Sequence, residues 1–333
     1  MPKVCIVAEY PYSLATGGLQ VQATSTLEAL RRHEPRFDYR AFDWLTEEPA
    51  DLYHFIGLPR YLMELAHLVE LAGKPYVCTF LLGQRSNAAL WARDRLKRLL
   101  SSSSYSKTLG KAAHVFAIHE TARRSIISSY GLAEEKVSSV PHGISEAFFQ
   151  ASPEVWKSQR GDFPFLLCVG AIQPRKNQLL LVEAANTAQL AVVLIGPVLP
   201  GHESYARKIE AAMQINQQWQ GAWIPGLSSE DPLLVSAYAA CRTVVLLSEH
   251  ETQPISILQA MATAKPALLA DAPFAYEPPF ASLPRVSLRD PARISEALRR
   301  LWRDGTPSSL EPGHRWPDIA RELARVYASI LAP

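Results

Sequence analysis

The sequence predicts an α/β protein of two domains, each built on a largely parallel sheet. Three observations predict it. Short apolar runs alternate with segments of helical periodicity, the pattern of strands joined by crossover helices. The alternation occurs twice, and proline, glycine and polar residues over 141–163 interrupt it. Hydrophobic residues make up 48% of the 333 positions, enough for two packed cores of ordinary domain size.

The first series opens with Lys3–Ala8, a short apolar run typical of a buried parallel strand. A turn-rich loop, Glu9–Gly18, leads to a helix over Leu19–Arg32 with Val21, Leu27 and Leu30 at helical spacing. Tyr39–Phe42 and Leu52–Ile56 read as strands. Leu58–Ala72 reads as a helix ended by Gly73, with Pro75 beyond it. Pro75–Phe80 is a strand and Ala88–Leu100 a basic helix, followed by a serine-rich linker or acceptor-side loop over 101–106. His114–Ile118, Thr121–Tyr130 and Val137–Val140 give strand, helix and strand. Pro141–Phe163 reads as the connection between domains.

The second series has strands at Phe165–Val169, Ala191–Ile195, Gly221–Ile224, Thr243–Leu247 and Ala267–Ala270. Between them fall helices at Asn177–Ala188, Ser204–Gln217, Glu230–Cys241 and after Pro254. Two helices, Pro291–Trp302 and Trp316–Leu331, close the chain.

Composition narrows the function. Charged residues make up 20%, too many apolar residues accompany them for a disordered chain, and a net charge of +2 gives no global drive toward nucleic acid. The charge is uneven. Residues 85–124 hold nine Lys/Arg against Asp94 and Glu120, a candidate peripheral contact with anionic lipid headgroups or a phosphorylated acceptor. A solvated helical face is the plainer reading. Cys5, Cys78, Cys168 and Cys241 lack metal-ligand spacing and read as buried reduced thiols. With no signal-like segment and no run of membrane-spanning length, a cytoplasmic location is expected.

Four groups stand where chemistry is expected. Gly17–Gly18, between the first strand and helix, lets the backbone approach a ligand beside a helix N-terminus. A tight turn explains it equally. It is not a G-x-G-x-x-G pattern, and no acidic residue ends the second strand, which argues against a dinucleotide enzyme. Val169-Gly-Ala-Ile-Gln-Pro-Arg-Lys-Asn177 follows the first strand of the second series. Its Arg175 and Lys176 lie where a helix begins, against the helix dipole, an arrangement that a diphosphate would offset. The plainer reading is a solvated pair. Glu251 follows the strand ending at Leu247, with Pro254 and Gln259 on the helix beyond; a helix cap is the competing account. His54, His119 and His142 each follow a strand or open the connection, and any one of them is more often structural than catalytic.

Taken together, these segments resemble the retaining glycosyltransferases of family 4. Tyr10-Pro11 through Gly18 is similar to that family's Gly-Gly loop, and Asp51-Leu-Tyr-His54 to one of its strand ends. Val140-Pro-His-Gly-Ile144 is similar to its linker, and Val169-Gly170 through Asn177 to its diphosphate segment. Gly226–Asp231 with Ala237-Tyr-Ala239 precedes a region, Ser248-x-x-Glu251 to Ala260-Met-Ala262, similar to its E-x7-E motif, and Arg315-Trp316 opens its closing helix. The resemblance implies the GT-B fold, two facing Rossmann-like domains with parallel sheets and a cleft between them. It places an acceptor-side domain over 1–150, a donor domain over 151–313, and a helix over 314–333 that crosses back.

The resemblance also implies roles. Arg175 and Lys176 neutralise the leaving diphosphate, and Glu251 accepts hydrogen bonds from donor-sugar hydroxyls. Gly17, Gly18, Gly170, Gln259 and the backbone around Gln253, Pro254 and Ile255 line the donor, although Pro254 has no N–H. The donor is a GDP- or UDP-linked hexose, with a weak tilt toward GDP-mannose. The acceptor is a hydroxyl of a saccharide or glycolipid, as in polysaccharide biosynthesis. No metal and no cofactor beyond the donor is implied, and no nucleic-acid partner.

Three departures stand out. Gln259 replaces the family's second carboxylate, which holds ribose hydroxyls; a neutral acceptor there is expected to cost about 1 kcal/mol, roughly fivefold in affinity. Ala171 stands where many members carry Arg. Thr79-Phe-Leu-Leu-Gly83 lacks the Thr-x-His that contacts the donor sugar, and His119 is the candidate substitute. The alternative is a catalytically impaired GT-B protein that binds a nucleotide or sugar, or supports a partner enzyme. A GT-B epimerase needs acid/base carboxylates that are not found.

Overall fold

The computed structural model describes residues 1–9, 18–81 and 104–332. Gly17, most of the Gly-Gly loop, the expected basic helix at 88–100 and Arg85 to Arg98 lie outside the described residues. The chain divides into two units, Met1–Gly143 with Pro312–Pro333, and Ile144–Glu311.

The first unit is a six-stranded parallel sheet in the order β2-β1-β3-β4-β5-β6. Its strands are β1 (Lys3–Ala8), β2 (Asp38–Ala41), β3 (Leu52–Ile56), β4 (Tyr76–Thr79), β5 (His114–Ala117) and β6 (Val137–Ser139). Register is set by pairs such as Ile6 with His54 and Val7 with Phe55. The helices are α1 (Gly18–His33), α2 (Arg60–Leu71), α3 (104–111), α4 (Glu120–Tyr130) and the returning α12 (Trp316–Leu331). Val4, Ile6 and Phe116 bury one sheet face against Leu30 of α1 and Ile319, Leu323 and Tyr327 of α12. The other face packs Val7, Phe55, Cys78 and Val115 against Leu62, Met63 and Ala66 of α2. Strands covered on both faces need apolar residues on both, which is why β1 runs apolar from Val4 to Val7, while the edge strands β2 and β6 carry polar residues.

Inside this unit His54 is fully buried. Its Nδ1 lies 2.6 Å from the Tyr327 hydroxyl and its Nε2 2.7 Å from Thr79 Oγ1. It therefore joins α12 to the sheet, which takes it out of the set of candidate reacting groups. Burial, then nearby His114, pulls its pKa down from 6.5 to about 3. Burial likewise lowers His142 to about 4, with His314 and His119 adding to it. Both rings are neutral in the folded state. As pH falls below 6.5 the unfolded chain takes up protons first, so stability present above that value is lost toward the folded pKa. Each group contributes a slope of up to about 1.4 kcal/mol per pH unit. Urea unfolding between about pH 7 and pH 5 is expected to show a falling midpoint, and His54→Gln a shallower fall. A flat midpoint in the parent protein would count against this account.

The second unit is also a six-stranded parallel sheet, ordered β12-β11-β10-β7-β8-β9. The strands are β7 (Leu166–Val169), β8 (Val192–Ile195), β9 (Ala222–Ile224), β10 (Thr243–Leu246), β11 (Ala267–Ala270) and β12 (Arg285–Val286). Leu166 of β7 pairs with Val192 on one side and Thr243 on the other. Around them lie α7 (Gln178–Ala188), α8 (Glu203–Asn216), α9 (Pro232–Ala240), α10 (Ile255–Ala262) and α11 (Pro291–Asp304). Every residue of β8, β10 and β11 is buried.

The segment read as a plain connection holds two short helices, α5 (Glu146–Phe149) and α6 (Glu154–Arg160). They belong to the second core. Trp156 is buried against Phe165, ring centres 4.7 Å apart, and its backbone N–H donates to Ser236 Oγ of α9 at 2.8 Å. Helices of one or two turns carry too few apolar residues to show a period. The serine run likewise ends in helix, since 104–111 is helical. All four cysteines are free and buried, Cys5 and Cys78 in the first unit, Cys168 and Cys241 in the second.

Candidate functional site

In the second sheet the chain runs outward from β7 through β8 to β9, then returns to lay β10 on the other side of β7. The order reverses between β7 and β10. In open α/β sheets ligands bind at the carboxyl ends of strands at such a reversal, because the two following loops diverge and leave a crevice. The loops after β7 and β10 carry Arg175–Lys176 and Glu251.

The β7 loop is shaped by two glycines. Gly170 has φ +147°, and a Cβ there would lie 2.8 Å from Lys176 Nζ. Its lack of a side chain lets Lys176 fold back over the strand end. Gly196, just after β8, lies so close that a Cβ would stand 2.1 Å from the Gly170 carbonyl oxygen. Beyond Gly170, Gln178 is fully buried and ties the loop to α7, its Nε2 donating to the Ala171 carbonyl at 2.9 Å. Pro174–Lys176 form one 3-10 turn, and Asn177, at φ +52°, leads into α7.

The two loops are laced together by hydrogen bonds to backbone carbonyls. Asn177 Nδ2 donates to the Leu247 carbonyl at 3.0 Å, and the Glu249 N–H donates to the Arg175 carbonyl at 3.1 Å. Arg175 Nη1 also donates to the His250 carbonyl. At the centre, Glu251 Oε1 accepts from Arg175 Nη1 at 3.1 Å, Lys176 Nζ at 3.2 Å and Ser248 Oγ at 2.7 Å. The Glu251 and Lys176 side chains are 13% and 14% exposed, while Arg175 is 36% exposed. Burial raises the Glu251 pKa, but the Lys176 ammonium, the Arg175 guanidinium and the Ser248 hydroxyl outweigh it and hold the carboxyl below its ordinary value. The charge pair read as a solvated surface feature is thus a partly buried cluster. Two cations and one carboxylate leave it one positive charge in excess, as an anion site requires.

Gln253 and Pro254 are buried at the start of α10, whose N-cap Pro254 makes no side-chain hydrogen bond; Ile255 opens the helix. On the second turn, Gln259 is buried and its Oε1 accepts from the Tyr238 hydroxyl at 2.8 Å. Tyr238 is itself fully buried, edge-on to Phe148 at 5.4 Å. Ser248 and Tyr238 fell within motif segments in the sequence but were given no role there. Ser248 stands three residues before Glu251, a spacing at which a turn returns the hydroxyl to the carboxylate, so it was open to detection.

The remaining candidates lie in the first unit. Gly18 is the first residue of α1. His119 is the N-cap of α4, its Nδ1 accepting from the Ala122 N–H at 3.1 Å. A residue missed in sequence, Glu9, follows β1 beside Gly57, and burial raises its pKa. In the described part of 85–124, Lys111 pairs with Glu70 at 2.6 Å, and Arg123 and Arg124 with Glu120 at 3.3 and 3.1 Å. Those partners reduce what these three cations offer a lipid headgroup. Among the described residues, no helix is long and apolar enough to cross a membrane, and no group of three His, Cys, Asp or Glu is placed to hold a metal.

Residues 153–277, which contain the whole cluster, match the family model for Glycosyl transferases group 1. No curated protein matches the chain significantly. Among solved structures it is similar to Anabaena Alr3699/HepE in complex with UDP and glucose, at TM-score 0.74 and 14% identity over 99% of this chain and 100% of that one. The same Anabaena protein has been solved with UDP-glucose. Sucrose-phosphate synthase from Thermosynechococcus elongatus gives TM-score 0.73 and 14% identity over the whole of both chains. WaaG, a glycosyltransferase involved in lipopolysaccharide biosynthesis, gives 0.61 and 16% over 98% and 97%. Two parallel six-stranded sheets and these neighbours give one conclusion: the chain has the GT-B fold, and its residues 153–277 match the Glycosyl transferases group 1 model.

Proposed function

We propose that the chain transfers a hexose from a nucleotide-diphosphate sugar to a hydroxyl acceptor with retention of configuration, as in family 4 of the retaining glycosyltransferases. The observation that carries this reading is the convergence of Arg175, Lys176 and Glu251 at the β7/β10 reversal, inside the matched domain. The bond from the anomeric carbon to the diphosphate oxygen breaks, and negative charge grows on that oxygen. Lys176 and Arg175 stabilise it there. The acceptor oxygen bonds to the same face of the carbon, and its proton passes to the leaving phosphate oxygen. Glu251 accepts from hydroxyls of the donor sugar. The N–H groups at the start of α10 receive phosphate, and Gly170 admits Lys176; Gly17, Gly18 and His119 are further residues that the resemblance assigns to the reaction. The cations do the work at the diphosphate in this reading, with no metal and no cofactor required. The acceptor is a saccharide or glycolipid.

The test is transfer and hydrolysis over a panel of UDP- and GDP-linked hexoses. Likeness to a protein solved with UDP-glucose puts uridine donors first, and GDP-mannose, favoured by the Pro-Arg-Lys-Asn pattern, second. Turnover with none of them, alongside clear nucleotide binding, would favour the non-catalytic reading that Gln259 motivates. In the proposed site Gln259 faces the ribose. Gln259→Glu is then expected to tighten donor binding about fivefold, since a charged acceptor makes the stronger hydrogen bond. Tyr238 can donate to either side chain, so the fold tolerates the change. Equal or weaker binding would show that position 259 does not meet the donor.

A further inference from the structure

A single carboxylate oxygen holds both cations of the cluster. Glu251 Oε1 accepts from Arg175 Nη1 at 3.1 Å and from Lys176 Nζ at 3.2 Å, and Ser248 adds a third donor at 2.7 Å. The backbone beneath is tied across the two loops, the Glu249 N–H donating to the Arg175 carbonyl at 3.1 Å. Side chains can exchange partners above it without breaking that bond. Lys176 has the freedom for it, with a flexible stem lying over a glycine.

We infer that Glu251 competes with the diphosphate for Arg175 and Lys176, and thereby weakens the hold on the nucleotide diphosphate once the sugar has left. The inference rests on the reading of this pair as a diphosphate site. A carboxylate that is 13% exposed must keep donors around it. With a nucleotide sugar bound, sugar hydroxyls replace the cations drawn away to phosphate, and Ser248 stays in place. With the product bound, the hydroxyls are gone. The terminal phosphate has also gained about one further negative charge near neutral pH. Glu251 then faces a stronger repulsion with only Ser248 to satisfy it, and it recovers the cations as the nucleotide leaves. The same residue that receives the sugar thus sets the preference for substrate over product.

Calorimetric titration of the full chain with UDP, GDP, pyrophosphate and UDP-glucose tests this in the parent protein, Glu251→Gln and Lys176→Ala. The glutamine variant is expected to bind UDP or GDP, and pyrophosphate, about tenfold tighter, because a like charge beside the anion is removed. UDP-glucose should gain less, so that preference for the nucleotide sugar over the nucleotide diphosphate shrinks. Glu251→Asp, which keeps the charge but withdraws it by one methylene, should fall between and serves if the glutamine variant does not fold. If diphosphate binds the parent and is lost in Lys176→Ala, yet neither Glu251 variant binds it more tightly, competition is refuted and the diphosphate site stands. If the parent binds none of these ligands, the site reading falls and the competition with it.

Discussion

Lys176→Ala is expected to lower kcat by at least about tenfold and on the order of 10²-fold if it acts as a preorganised donor to the leaving oxygen. The argument is one of placement. Lys176 is 14% exposed and lies over the end of β7, within the proposed diphosphate site. A cation already drawn onto the diphosphate of the bound donor costs little further reorganisation as charge develops. Removing it also leaves Glu251 with Arg175 alone, so the local charge falls from positive to neutral. Binding of donor should weaken too, but the loss in kcat is the diagnostic, read from turnover at saturating donor and compared with Lys176→Arg. Unchanged turnover in the alanine variant would remove Lys176 from the chemistry.

The largest effect on stability is expected at Gly196. A methyl group there would stand 2.1 Å from the Gly170 carbonyl oxygen and 2.6 Å from its carbon. Both are backbone atoms, and neither strand end can retreat. The Gly196 N–H is bonded to the Ile224 carbonyl at 3.0 Å, and the Gly170 N–H to the Ile195 carbonyl at 2.9 Å. The Trp223 indole N–H donates to the Gly196 carbonyl at 3.0 Å, closing the third side. Gly196→Ala is therefore expected to cost about 3 kcal/mol, the upper range for overpacking. Denaturant unfolding should show the loss in the transition of the second unit, and the displaced Gly170 should carry Lys176 out of place. Near-parent stability would mean that the β7 and β8 ends are further apart than described.

The contrast between these residues shows what a sequence can and cannot disclose. Strands β8, β10 and β11 were legible because a strand covered on both faces must be apolar throughout. Arg175, Lys176 and Glu251 drew notice in the sequence because each follows an apolar strand run, but the ion pairs that gather them into one cluster were not visible there. Helices α5 and α6 were not, since one or two turns carry no measurable period. The partners were hidden for a different reason. Tyr238 meets Gln259 across 21 residues, and His54 meets Tyr327 across 273. No local pattern marks such pairs; only the packed fold brings them together. His119 adds a feature that no local pattern marks: its Nδ1 caps α4, a role usually given to Ser, Thr, Asp or Asn.

The four cysteines, described above only as buried, have a practical meaning. Each unit conceals two, and burial pushes the thiols of Cys5 and Cys241 up to about 12 and that of Cys168 to about 11. Closed, none of these three offers the thiolate that alkylating reagents require. The chain therefore carries its own reporters of breathing. Mass added at Cys5 records opening of the first unit, and mass added at Cys168, directly behind the cation loop, records opening of the second, without any label being engineered.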